Sequence, residues 1–161
     1  MLRLAKILLV VCVAAWALLG AFGNIADWNN VTDSVMSVTS MRAFPPSVGH
    51  WKATTDPRII MLGSIAIPTF KAATFAFCSI GASRMWSQRQ ADGAAFNRSK
   101  DAALVGCAIA VAGLFLGWIV IAEGWFEMWR STSLRDGAGD TAFRYGGLIA
   151  LIATMVGTRD D

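Results

Sequence analysis

Four stretches of the chain are almost bare of charge, and they set the first expectation. Ile7 to Phe22 carries none, Ile59 to Ala82 only Lys71, Ala102 to Ala122 none, and Tyr145 to Thr158 none. A helix needs about 20 apolar residues to cross roughly 30 Å of hydrocarbon. The blocks therefore read as membrane spans at 5–26, 59–82, 102–122 and 142–158. The fourth is short, and is expected to snorkel Arg144 and Arg159 to the two surfaces. The pattern predicts an all-α fold: a four-helix transmembrane bundle forming a single integral membrane domain over residues 1–161, with a long outer loop between helices 1 and 2.

Within that first loop, "VTDSVMSVTSM" places apolar Val31, Val35, Met36, Val38 and Met41 at mixed spacing, which suggests a short surface-lying helix. The "FPPS" that follows should force a turn. Inside the third span, Gly106, Ala110, Gly113 and Gly117 recur at helical steps, and Gly146, Ala150, Ala153 and Gly157 repeat those steps in the fourth. Lipid supplies no hydrophobic drive between helices, so small-residue faces that allow close approach mark contacts. Spans three and four are expected to touch along these faces, within one bundle in preference to a homodimer seam.

Composition agrees with a membrane chain. Hydrophobic residues reach 55% and charged ones only 16%, against about a quarter in soluble domains. The first block also resembles a signal peptide, but three further spans follow, and it is read as retained. Cys12, Cys78 and Cys107 all lie inside apolar blocks; their odd number and depth argue for packing over a disulfide framework.

The charges suggest an orientation. Lys/Arg counts in the loops are nearly even, but the short link "SRMWSQRQADGAAFNRSK" packs four basic residues between spans two and three. By the positive-inside rule that link and both termini are expected on the cytoplasmic side of an inner membrane. The basic residues form no stripe, so nucleic acid is not expected as a partner. Trp28, Trp51, Trp125, Phe126 and Trp129 cluster on the outer side as interfacial anchors.

Few polar residues could carry chemistry. Asn24 and Asp27 end span one, Lys71 sits in the middle of span two, Glu123 and Glu127 leave span three, and Arg144 enters span four. An ammonium at mid-bilayer costs about 2.5–3.5 kcal/mol on insertion scales, so Lys71 needs a partner. Its side chain tilts towards the outer side, and Lys71 with Glu123 is the expected pair. Arg144 could equally take Glu123, stapling the helix ends. Pro68 is expected to kink span two. His50 is the only histidine and lies in a loop, so neither a metal nor an intrinsic haem is expected. No catalytic motif appears, so no cofactor and no enzymatic activity are expected.

Several stretches together resemble a known family: "FGNIADW" after span one, "HWKATTDP" before span two, "CSIGASRMW" closing it, then "AAFNRSK", "EGWFEMW", "TAFRYG" and the final "RDD". In order, they resemble the bacterial family of predicted small integral membrane proteins, domain of unknown function 2165. The resemblance implies four inner-membrane helices and no assigned activity. It marks Asn24, Asp27, Trp51, Asn97, Lys100, Glu123, Trp125, Phe126, Trp129 and Arg144 as matching the family pattern. Two departures accompany it: Lys71 stands where a carboxylate is expected, and "SVTSMRAF" replaces a Ser-Met-Asp-Thr-type stretch of the first loop.

Three functions follow. The leading expectation is a non-catalytic accessory or stabilising subunit packed against other membrane protein subunits, in a respiratory or photosynthetic electron-transfer complex. The rival is a small homo-oligomeric transporter or channel subunit, with Lys71, Glu123 and Arg144 lining one polar path. A quinone-binding membrane protein is the third.

Overall fold

The computed structural model describes residues 1–42, 50–132 and 135–161, with the side chains of residues 135 and 136 left aside. The turn expected from Phe44 to Ser47 lies outside the described residues. Helix α1 is Leu2–Ala26, α2 is Trp28–Thr39, α3 is Pro57–Ser87, and α4 is Gly93–Ser99. Helix α5 is Asp101–Leu114 and continues as a wider π-helical stretch, Phe115–Trp125. A 3-10 turn at Met128–Arg130 and a π turn at Arg135–Gly139 lead into α6, Asp140–Gly157. Among the described residues there is no strand.

Among the described residues, three helices are long and apolar enough to cross a membrane: Leu2–Ala26, Pro57–Ser87 and Gly93–Trp125. Helix α6 falls outside that class because Asp140 and Arg144 occupy its first turns.

In space the order is α1 on α3, α3 on α5, α5 on α6, with α6 returning to α1 through fewer contacts. Much of what faces inward is small: Ala14, Ala17, Ala103, Cys107 and Ala110 are buried, together with the hydroxyls Ser64 and Thr74, beside the larger Phe96, Met85, Leu114 and Ile149. Many large apolar side chains face outward, with Leu19, Phe22, Leu62, Phe143 and Leu151 all exposed. A soluble bundle shows the reverse, because water drives its large side chains inside. Here the outer surface suits lipid and the interior is chosen for close backbone approach.

That approach is tightest between α3 and α5. A Cβ on Gly81 would strike the backbone of Ala103, and one on Gly106 would meet the Cys78 sulfur at 2.6 Å. Gly113 admits the Phe70 ring in the same way. Spans three and four do pack on each other as expected, but not with their two small-residue faces opposed. The face carrying Gly106, Ala110 and Gly113 packs on α3, and Ala110 is wholly buried. Helix α6 takes a different side of α5: a Cβ on Gly146 would lie 3.8 Å from Leu114 and one on Gly157 3.9 Å from Leu104, and Ala153 packs on the core while Ala150 is half-buried.

Gly117 faces open space. The reason is the change of winding after Leu114: bonds now close over five residues, as in Phe126 N–H to Ile121 O at 3.0 Å. A residue four positions on then no longer falls on the same face.

Helix ends follow their local chemistry. Asp56 Oδ1 accepts from the Arg58 N–H at 2.8 Å with Pro57 at the first helical position, and Asp92 Oδ1 accepts from the Ala95 N–H at 2.7 Å. Pro68 is buried within α3, which runs through it. Helix α2, expected from the sequence, starts directly after Asp27 closes α1 and rests on α3, its Val35 lying over Gly63.

Candidate functional site

Polar residues gather at three levels. The end of the bundle where α1 begins and α6 finishes holds the densest set. Lys6 is fully buried and donates to Asp160 Oδ2 at 2.6 Å and to the Thr158 carbonyl at 2.8 Å. Lys100, also buried, donates to the same Asp160 oxygen at 2.5 Å, to the Thr158 carbonyl at 2.7 Å and to Asn97 Oδ1 at 2.6 Å.

Asn97 clamps the backbone of that aspartate from both sides. Its Nδ2 donates to the Asp160 carbonyl at 2.9 Å, and its Oδ1 accepts the Asp160 N–H at 3.1 Å. Arg3 lies over the Phe96 ring at 4.8 Å and donates to the carbonyls of Ala91 and Asp161, each at 2.6 Å. Gly93 faces the tail so closely that a Cβ would strike the Asp160 carbonyl.

Burial of the Asp160 carboxyl works to raise its pKa, but the hydrogen bonds and charges of Lys100 and Lys6 outweigh it and hold it below the usual range. Chemically this is a lock: one carboxylate neutralises two buried cations and ties α1 and the junction of α4 and α5 to the segment after α6. Asn97 was visible in the sequence only through the resemblance, Asp160 only within its "RDD", and Lys6 and Lys100 also as basic residues that bear on orientation. The usable signal was that "AAFNRSK" and "RDD" had no other work assigned.

At mid-depth, Lys71 does not pair with Glu123. Among the described residues it has no ion pair. Its ammonium sits 5.8 Å from the centre of the Trp16 ring and lies against Gly20 at the seam of α1 and α3. Trp16 in turn meets Tyr145 edge-on at 5.7 Å. Glu123 instead presses on Gly139 before α6, and Arg144 turns outward, 77% exposed, with Asp140 at 3.9 Å. Neither expected pair to Glu123 forms, because Lys71 points to α1 and Arg144 to solvent. The Asn24 Nδ2 and Thr74 Oγ1 are buried without a hydrogen-bond partner.

The outer end is organised by Glu127, whose φ of 56° puts it in left-handed backbone. Lys52 donates to its Oε1 at 2.9 Å and Arg130 to its Oε2 at 3.2 Å, with His50 at 3.9 Å. The hydrogen bond from Lys52 pulls its carboxyl below the usual value, against a smaller rise from desolvation. Lys52 also sits between Trp51 and Trp125, whose rings meet edge-on at 5.6 Å. Phe126 is buried against Met41 and Trp28 is half-buried, whereas Trp129 is 58% exposed. Asp27 is exposed at the junction of α1 and α2.

Apolar helices of crossing length, large side chains turned outward and ion pairs gathered at the two ends define a small polytopic integral membrane protein. The chain belongs to the family described as Predicted small integral membrane protein (DUF2165), whose model matches residues 2–158. No curated protein and no solved structure gives a match.

Proposed function

We propose that the chain is a non-catalytic accessory or stabilising subunit of a larger inner-membrane assembly, a four-helix bundle with both termini cytoplasmic, and that an electron-transfer complex is the assembly to test first. The observation that carries this reading is Lys71. It is a half-buried cation at mid-depth, held only by an aromatic face. A cation–π contact contributes about 0.5–2 kcal/mol, less than the insertion cost of an ammonium, so a carboxylate from a neighbouring subunit would complete the site.

The transporter reading needs Lys71, Glu123 and Arg144 along one interior. Their separate surroundings, on Trp16, on Gly139 and beside Asp140, give it no support within one chain. The test is purification of the tagged protein in native lipid, with mass spectrometry of what co-elutes in stoichiometric amount. A defined set of larger subunits, lost on Lys71→Leu, supports the accessory role. A homo-oligomer alone overturns it.

A further inference from the structure

The link between α3 and α5 carries four basic residues, and the structure divides them into two kinds. Lys100 is consumed by the inner lock. Arg89 lies on the Trp86 ring at 4.3 Å and donates to the Trp86 carbonyl at 2.9 Å. Arg84 and Arg98 have no such employment: both are exposed, and neither has an ion pair, ring contact or hydrogen bond through its guanidinium among the described residues.

These two line one cavity of about 390 Å³, between the last turns of α3 and the short α4. The other polar groups in its wall are the hydroxyls of Ser83, Ser87 and Ser99 and the amide of Gln88. No carboxylate lines it. The cavity thus offers two guanidinium forks and several neutral hydrogen-bonding groups, with nothing to repel an anion. Its depth matters as much as its charge. Arg84 stands in the final turn of an apolar helix and Trp86 is exposed beside it, at the level where an interfacial tryptophan sits.

We propose that this cavity binds a phosphate group, and that its occupant is the phosphodiester headgroup of an anionic phospholipid of the adjoining leaflet. Guanidinium forks match phosphate oxygens two at a time, and basic pockets between helices on the cytoplasmic side take anionic headgroups. Ser87 and Ser99 already donate to the carbonyls of Ser83 and Phe96, so the Ser83 hydroxyl and the Gln88 amide would serve the remaining oxygens, and the acyl chains would lie along the outward apolar residues of α3 such as Ile80 and Phe77, both exposed. The proposal does not depend on the accessory-subunit reading.

The experiment is native mass spectrometry of the full chain released from bilayers containing phosphatidylglycerol and phosphatidylethanolamine. Expected is one phosphatidylglycerol retained per chain in preference to phosphatidylethanolamine. Loss of one charge-assisted contact weakens binding by about tenfold, so Arg84→Gln with Arg98→Gln should abolish retention, whereas Lys52→Gln at the opposite end should not. Arg84→Lys with Arg98→Lys keeps the charge but not the fork, and should retain lipid weakly. In parallel, delipidated protein is titrated with glycerol phosphate. Binding of glycerol phosphate lost in the arginine variant, with no lipid retained, would keep the phosphate site and assign it to a soluble phosphate. Equal retention of phosphatidylglycerol by the native chain and the double glutamine variant, or no retention together with no glycerol phosphate binding, would overturn the proposal.

Discussion

Lys6 and Lys100 point two ammonium groups at one oxygen of Asp160 from helices that make little other contact with each other. The Thr158 carbonyl accepts from both, but the aspartate supplies the negative charge that makes their closeness tolerable. Taking it away leaves two like charges buried side by side.

Asp160→Asn should accordingly destabilise the protein by about 3 kcal/mol, the range for stripping the counter-charge from a buried pair. Lys6→Met should cost less, since Lys100 still neutralises Asp160. Thermal unfolding in a mild detergent checks both, and equal losses would refute the shared-carboxylate account.

The same carboxylate gives a pH dependence. Its folded pKa lies below the unfolded value of about 3.9, so its contribution is present above that value. It is lost as pH falls below about 4 and through the folded pKa. The melting temperature should drop in this acidic window, more steeply for the native chain than for Asp160→Asn. Glu127 shifts the same way and would add to the slope.

Gly81→Ala and Gly117→Ala should behave oppositely although both sit in apolar helices. The first drives a methyl into the Ala103 backbone and should cost about 1–3 kcal/mol. The second meets nothing and should leave the melting temperature close to unchanged. Parallel melts of the two variants test the α3 to α5 contact directly.

Glu127→Gln removes the acceptor charge that holds Lys52 and Arg130. Residues 50–56 should exchange amide hydrogens faster while the helices keep their protection. Unchanged exchange in that loop would show the outer cap to be held by Met41 and Phe126 alone.

The helices were legible in the sequence because apolar length alone makes them. The blocks expected at 5–26, 59–82, 102–122 and 142–158 lie within helices or end one residue past one. The inner lock was not legible for a physical reason. Counting Lys and Arg for orientation treats every loop cation alike, whereas the fold buries Lys6 and Lys100 and leaves Arg84 and Arg98 exposed. The change of winding after Leu114 escaped too, since it is a shift of hydrogen-bond partners that leaves no mark on composition. The pairing proposed for Lys71 failed because tilt along a helix gives a side chain's height but not its direction around the axis.

The lock at Asp160 also orders events during synthesis. Of the three, Lys6 emerges from the ribosome first, Lys100 much later, and Asp160, which neutralises both, only after α6 has been made. Until then the nascent chain holds two cations at a site that the segment after α6 fills. A chain stalled after α6 would carry two uncompensated cations at that end of the bundle.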